Sequence, residues 1–448
     1  MSQIRNFSLF TLIFFINITT LVICEIPTKK IIASEAEYGY IYVNMVEDEE
    51  ICNSFKERKE GSQDDSQFKL VFNESNSCSI TIEFYQNLED CTDFFVTNFP
   101  DPYYYSIEAI SVKDLKIIPT NMKGMFHGLN GTKEIIGLEN FDTSKVTNME
   151  NLFAGSGIME LNLSNFDTYL VTDMSGMFLE CNNLALIDVS SFDTSSVKNM
   201  SQMFARSSEL SKTLNELNIT GLSNFDTSSV VDMSSMFEYC STLKSIDISN
   251  FDTSKVTNMA KMFSYCMSLN SLDFSNFDTS LVEDMNNMFS YYGFIQNIEE
   301  ISYDDISMFL EFKFNDNIEV MKTIIDITNF KTSKVTNTDS MFCGCYGLES
   351  IDLSGFDTSS VQNMGAMFKY CQSLNMLDVS KFDTSSVKNM SYLFGGCDIL
   401  ENVSLSNFET SKVIDMGGMF YSCKELTSID LSSFDTSSVE NMSEMFLL

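Results

Sequence analysis

Hydrophobic and polar positions along most of the chain recur with a period of 26 residues. One copy starts at Phe251 and reads FDTSKVTNMAKMFSYCMSLNSLDFSN, and the next copy starts at Phe277. With the phenylalanine of Phe-Asp-Thr-Ser as repeat position 0, apolar residues fall at positions 0, 5, 8, 11, 12, 15, 18, 21 and 23. A fixed period of this size predicts coils stacked in a line, each burying its apolar face against its neighbours.

Two periodicities share each coil. Positions 5, 8, 12 and 15 step by three and four residues, as on one face of a short helix. Asp-Thr-Ser just before them supplies the side-chain oxygens that a helix N-cap needs. Positions 21 and 23 show the spacing of a strand, which leaves position 22 pointing outward. The pattern therefore predicts an α/β solenoid with one short parallel strand and one short helix in each coil.

The position-0 phenylalanine occurs eleven times, mostly in steps of 25 or 26 residues. A step of 33 predicts one coil plus a seven-residue insertion near 208–215. A step of 53 predicts two coils, one of them eroded, with Tyr303-Asp304 in place of Phe-Asp and irregular sequence over 291–322. Residues 116–448 are thus expected to form about twelve coils, with an incomplete last coil. The position-0 residues are Phe141, Phe166, Phe192, Phe225, Phe251, Phe277, Phe330, Phe356, Phe382, Phe408 and Phe434.

Residues 1–24 have the pattern of a secretory signal peptide. Arg5 precedes a mostly apolar segment, Phe7–Ile23, which is short for a membrane span. An uncleaved anchor and a lipid anchor at Cys24 are the alternatives. The expected location is extracellular or cell-surface, with membrane attachment only through an N-terminal anchor or a segment beyond Leu448.

Residues 25–115 do not repeat. Strands are predicted at Ile41–Val46, Phe68–Phe72 and Ser79–Tyr85, which alternate or are rich in β-formers. Stacked coils need their first apolar face covered, so a β-rich N-terminal cap is the main interpretation. A separate ligand-binding domain is the alternative.

The net charge of −36 limits the classes of partner that the chain is expected to bind. Nucleic-acid binding requires clustered lysine and arginine, so the charge argues against it. It also argues against direct binding to anionic lipid. An acidic surface suits a soluble protein or a cationic partner. The hydrophobic content of 44% is ordinary for a folded chain.

The repeat resembles that of the BspA-like leucine-rich-repeat surface proteins, a 26-residue unit also found in mycoplasma lipoproteins and protist surface proteins. The motif F-D-T-S-x-V-x-N-M-x-x-M-F-x-x-C-x-x-L-x-x-L-D-L-S is almost whole at Phe251–Ser275 and Phe356–Ser380. The resemblance implies a leucine-rich-repeat-like fold, surface display and, in some members, binding to host or neighbouring cells. Lys331 and Glu409 depart from the motif at position 1, as does the segment Phe294–Lys322.

Enzymatic chemistry has little support in the sequence. His127 is the single histidine, so any Ser-His or Cys-His site would have to use it. The carboxylates recur coil after coil, whereas acid–base pairs need two carboxyl groups in unlike environments. We therefore predict a non-enzymatic protein, with an enzyme sited in the N-terminal region as a remote alternative.

Seven of the twelve cysteines share repeat position 15. A ladder of buried free thiols is the main interpretation, because free cysteine packs as a small apolar residue. Disulfides between successive coils would need Cα atoms within about 7 Å. Cys52, Cys78 and Cys91 could supply one disulfide in the cap. The position-15 cysteines are Cys181, Cys240, Cys266, Cys345, Cys371, Cys397 and Cys423.

Two ladders of aspartate are the main polar feature. The first, at position 1, is expected to cap the helices. The second, at position 22, is the candidate ligand-binding face; a solvated acidic face, a cationic ligand and Ca²⁺ are the three interpretations left open. No other metal or cofactor is predicted. The position-1 residues are Asp142, Asp167, Asp193, Asp226, Asp252, Asp278, Asp357, Asp383 and Asp435. The position-22 residues are Asp188, Asp247, Asp273, Asp326, Asp352, Asp378 and Asp430.

These features together predict a secreted or surface-displayed protein that binds protein or glycan partners through the strand face of its coils. Many coils would present multivalent contacts along one surface. The alternative is a surface coat or spacer without a specific ligand, which the near-identity of the coils favours. The insertions at 208–215 and 291–322 break that regularity and are candidate local contact sites.

Overall fold

A computed structural model describes residues 39–45, 68–72, 79–84, 88–98, 107–113, 118–206, 217–269, 272–292 and 323–447. The chain divides into two compact units, Met1–Asp193 and Thr194–Leu448. The predicted signal peptide 1–24, the insertion at 208–215 and the segment 293–322 lie outside the described residues.

The first unit contains a five-stranded sheet with the strand order β2-β3-β1-β4-β5. Strands β1 (Gly39–Met45), β2 (Phe68–Phe72) and β3 (Ser79–Phe84) confirm the three predicted strands to within two residues. Strand β4 (Ile107–Lys113), which the sequence pattern did not predict, pairs antiparallel with β1. The strand β5 (Glu134–Ile136) belongs to the repeats.

The N-terminal sheet continues into the first repeats through the parallel pair β4–β5, in which Ile110 lies opposite Ile135. The buried Thr132 hydroxyl donates a hydrogen bond to the Ile107 carbonyl at 2.7 Å. Gly137 has a φ of 85°, and a Cβ there would lie 2.0 Å from the Val112 carbonyl oxygen. This close approach requires glycine and joins the non-repeating strands to the coils.

Helices are scarce. Within the described residues the one α-helix is α1 (Phe94–Asn98), beside two short 3₁₀ segments at Leu138–Asn140 and Leu222–Asn224. The prediction of one helix per coil is therefore wrong. Three-residue strands occur at β5, β6 (Leu186–Asp188) and β7 (Asn218–Thr220). All three alternate exposed, buried, exposed, as the strand pattern predicted.

The predicted helix is replaced by a series of turns whose amides point along the stack. Met259, Lys261, Phe263 and Tyr265 donate their amide hydrogens to carbonyls of the next coil, at 2.7–3.0 Å. Lys261 and Tyr265 have φ values of 59° and 58°. Left-handed residues recur at positions 10 and 14 of almost every described coil, and they prevent the i→i−4 hydrogen bonds of an α-helix.

The core positions were nevertheless predicted correctly. Val256, Met259, Phe263 and Cys266, at positions 5, 8, 12 and 15, are all fully buried. Stacked turns and a helix place the same three- and four-residue spacing on the inside, so burial does not distinguish them.

Successive coils pair through isolated parallel bridges at position 7. In the first unit the bridges join Asp90, Asn121, Asn148 and Asp173 in order, so the ladder begins within the segment that the sequence assigned to the cap. In the second unit they join Asn199, Asp232, Asn258, Asp284, Asn337, Asn363, Asn389, Asp415 and Asn441.

The eroded coil predicted near Tyr303 falls outside the described residues, and it does not lie between the coils of Phe277 and Phe330. Asp284 bridges directly to Asn337, and the Phe289 and Phe342 rings stack with centroids 5.9 Å apart. The step of 53 residues therefore adds one layer to the described stack, because the coil of Phe277 lies directly against the coil of Phe330. Both insertions leave the repeat at the same place, after the turn segment and before the outward-facing strand segment.

Phenylalanines at position 12 form the centre of each stack. In the second unit nearly parallel rings follow one another at 5.4–6.2 Å from Phe204 to Phe446. In the first unit Phe95, Phe126, Phe153 and Phe178 do the same at 5.5–6.0 Å. Buried aromatic contacts of this kind add to the stability that area burial provides.

Candidate functional site

The position-1 aspartates cap turns. In seven coils an Asp Oδ1 accepts a hydrogen bond from the amide of the residue two positions later, at 2.9–3.1 Å. This is the Asx-turn geometry that aspartate favours outside helices. The predicted capping role therefore applies to a turn, since no helix follows.

The position-22 aspartates make the same local contact. In all seven the Oδ1 accepts a hydrogen bond from the residue two positions later, at 2.9–3.1 Å. All seven side chains are exposed. Asp188 lies in the first unit and the other six lie in the second.

Local hydrogen bonds favour the charged form of five of these aspartates, Asp247, Asp273, Asp352, Asp378 and Asp430. The hydroxyl and then the amide of Ser249 lower the pKa of Asp247, while the neighbouring Asp273 acts weakly in the opposite direction. Ser354 and Ser380 lower the pKa of Asp352 and Asp378 in the same way. Hydrogen bonding to the charged carboxylate favours that form, so the pKa values of these aspartates lie below the ordinary value.

Apolar side chains stand beside some of these aspartates. Leu186, Ile324 and Met376, two residues before a position-22 aspartate, are 51%, 60% and 69% exposed. Residues two apart in an extended segment lie on the same face. Met376 also bridges in parallel to Asn402 of the next coil. The outward strand face therefore combines carboxylates with single large apolar groups.

The position-15 cysteines are buried and free, as the thiol-ladder interpretation predicted. Each thiol donates to the carbonyl of a position-12 phenylalanine in the preceding coil, with S–O distances of 3.0–3.2 Å. Burial raises the pKa of Cys240 to about 12. Such thiols are structural, because the thiolate is the reactive form. Cys91 is also free and buried; Cys52 and Cys78 lie outside the described residues.

His127 is exposed and lies at a groove of about 390 Å³ in the first unit, together with Asn130, Ser156 and Glu180. The buried Ser156 hydroxyl is 3.5 Å from the Cys181 sulfur. Among the described residues no hydrogen bond links the imidazole to a hydroxyl or thiol.

A row of tyrosines, which the sequence pattern did not predict, occupies position 14 of successive coils in the second unit. Tyr239, Tyr265 and Tyr291 stack with centroids 4.4 and 4.6 Å apart. Tyr291 then packs on Gly344, where a Cβ would come within 2.5 Å of the ring. The 26-residue spacing of the three tyrosines was the available signal.

Within the described part of the chain, no group of three or more His, Cys, Asp or Glu side chains converges as metal ligands would. In the same residues, no helix is long and apolar enough to cross a membrane.

Comparison with protein families matches the repeats to the family described as "Mycoplasma protein of unknown function, DUF285". The matches cover residues 120–222, 208–320, 306–404 and 377–447. The chain belongs to this family. No curated protein and no solved structure matches the chain. Membership establishes a tandem-repeat protein, and the family description names no activity.

Proposed function

We propose that this protein is a secreted or surface-displayed, non-enzymatic repeat protein that binds protein or glycan partners on host or neighbouring cells. In this proposal its coils form a leucine-rich-repeat-like, BspA-like solenoid. The observation that carries the proposal is the exposed position-22 face of the second unit, where aspartates stand beside Ile324 and Met376. Such a face suits a partner with cationic groups and apolar contacts.

The mechanism is multivalent. A single carboxylate of this face contributes little by itself, because an exposed ion pair is worth about 0–1 kcal/mol. Several carboxylates that meet one partner add their contributions at a high effective concentration. Ca²⁺ could occupy the same face and compete with a cationic partner, so the binding measurements include an arm with a chelator.

The test uses the full chain on protein and glycan arrays. A variant with Asp247, Asp273, Asp352 and Asp378 changed to Asn removes four charges from the face. A control with Glu180, Glu283, Glu409 and Glu440 changed to Gln removes four exposed charges elsewhere. The proposal expects partner binding that the aspartate variant loses and the control keeps. Equal behaviour of the two variants would refute the acidic-face mechanism.

A structural coat or spacer is the second candidate, and one observation favours it. Every position-22 aspartate already has a local role, since its Oδ1 closes a turn. A pure spacer needs these turns and no partner. Deleting the insertion at 208–215 or the segment 293–322 separates the two ideas, because a spacer has no binding to lose.

A further inference from the structure

A polar groove of about 510 Å³ lies on a different part of the repeat from the acidic face. Six of its seven lining residues lie at repeat positions 4 and 6 of successive coils in the second unit and form its two walls, and the seventh, Ser359, lies at position 3. Position 5 between them is a valine, and Val361 and Val387 are fully buried. The position-4 wall is formed by Ser360, Ser386 and Lys412, and the position-6 wall by Thr336, Gln362 and Lys388.

The charge of this groove is opposite to that of the chain. Its lining includes two lysines, hydroxyl groups and an amide, and no aspartate or glutamate, although the chain has 63 acidic residues against 27 basic ones. Lys388 and Lys412 lie on adjacent coils and opposite walls, and both are exposed. The Lys388 ammonium donates to the Gln362 Oε1 at 3.2 Å, which orients it along the position-6 wall.

The carboxylate that Lys412 faces lies outside the lining. Hydrogen bonds from Ser385, with a smaller contribution from Lys412, lower the pKa of Asp383. Along the position-6 column, Glu283 precedes Gln362 by two coils and Glu440 follows Lys388 by two coils. These carboxylates lie at the two ends of the cationic stretch, so an anionic ligand can extend over only a few coils.

We propose that this groove binds a short anionic oligosaccharide that carries carboxylate or sulfate groups. The two ammonium groups form charge-assisted hydrogen bonds with its anionic groups. The serine and threonine hydroxyls and the glutamine amide hydrogen-bond its neutral hydroxyls. A polar, hydroxyl-lined groove suits a glycan better than an acidic peptide, which would draw affinity from apolar pockets or a free strand edge. The site is additional to the acidic face and does not depend on it.

Isothermal titration calorimetry of the full chain with a chondroitin sulfate hexasaccharide tests the proposal. Maltohexaose and a hexaglutamate peptide serve as neutral and peptidic probes. We expect the sulfated hexasaccharide to bind, its affinity to fall as salt rises because exposed charges are screened, and neither other probe to match it. Lys388→Gln and Lys412→Gln should each weaken binding about threefold to fivefold, as for exposed ion pairs.

Lys424→Gln is the matched control. Lys424 lies in the same coil as Lys412, outside the groove, and pairs with Asp398 at 2.7 Å. Its loss changes the net charge equally and should leave binding unchanged. Equal weakening by Lys424→Gln, equal binding of maltohexaose, hexaglutamate binding as tight as the hexasaccharide, or no binding of the hexasaccharide would each overturn the proposal. The aspartate-to-asparagine variant of the acidic face should retain hexasaccharide binding, so failure of either proposal is recognised separately.

Discussion

The Thr358 hydroxyl joins two successive coils twice. It donates a hydrogen bond to the Asp383 carbonyl at 2.9 Å and accepts one from the Asp383 amide at 2.8 Å. Thr358 is 1% exposed. The same pair forms between Thr143 and Asp167, and between Thr410 and Asp435. The threonine of Phe-Asp-Thr-Ser therefore connects each coil to the next.

Thr358→Val is expected to destabilise the second unit by about 1–3 kcal/mol, because both backbone groups of Asp383 lose their partner in a buried setting. Valine keeps the shape of threonine, so the loss of stability measures the contribution of the hydrogen bonds. The measurement is chemical denaturation followed by circular dichroism. Thr336→Val, the same exchange at an exposed position, should change the midpoint little; equal effects would contradict the proposed role.

Gly396→Ala should destabilise the stack by about 2–4 kcal/mol through left-handed strain and overpacking. Gly396 has a φ of 76°, and a Cβ there would lie 2.4 Å from the Tyr370 ring. Combining it with Tyr370→Ala should recover the overpacking part, as a double-mutant cycle would show. Additive effects of the two changes would mean that the ring and the glycine do not interact.

The position-15 thiols should resist alkylation in the native protein. Cys266, Cys371 and Cys397 are fully buried, and burial raises the pKa of each thiol well above its ordinary value. Peptide mass spectrometry after iodoacetamide treatment at neutral pH should find them unmodified, and modified after denaturation. Native modification comparable to that in denaturant would contradict the buried ladder.

Alkaline pH should destabilise the protein. Burial raises the pKa of Cys240 and Cys343 from 9.0 to about 12. Between these values the unfolded chain releases protons that the folded chain retains, so the free energy of unfolding falls as pH rises from about 9 towards 12. A Cys240→Ala variant should show a smaller loss over that range. Stability that stays constant or rises would contradict this sign.

The sequence was sufficient for the period, the buried positions and the outward position 22, because burial of one face imposes them whatever the backbone does. It did not distinguish stacked turns from a helix, since both bury Val256, Met259, Phe263 and Cys266. The left-handed residues are mostly not glycine, and residue types such as Lys261 and Tyr265 do not predict a positive φ. A signal did exist, because aspartate at positions 1 and 22 usually precedes serine by two residues, the pattern of repeated Asx turns.

The candidate surfaces were predictable only in part. Asp247 and Asp378 were placed outward by strand alternation alone, and the structure has them exposed. The groove of Lys388 and Lys412 was not predictable from the sequence. Its two walls become neighbours only when coils stack and positions 4 and 6 flank a buried valine. The step of 53 residues predicts two coils because it is close to two periods, and chain length alone does not show whether both coils lie in the stack.

Deleting residues 251–276 tests the central claim most directly, that each 26-residue block is one exchangeable layer and that a block with a position-22 aspartate adds one carboxylate to the acidic face. The deletion should place Phe237 on Phe289 and remove Asp273 from the face. We expect the shortened protein to fold cooperatively by circular dichroism. The control is the full chain with Asp252→Asn, which loses one carboxylate in the same coil but not from the face. The shortened protein should bind an octalysine peptide more weakly than this control. An unfolded product would contradict the layered stack, and binding equal to that control would contradict the role of the acidic face.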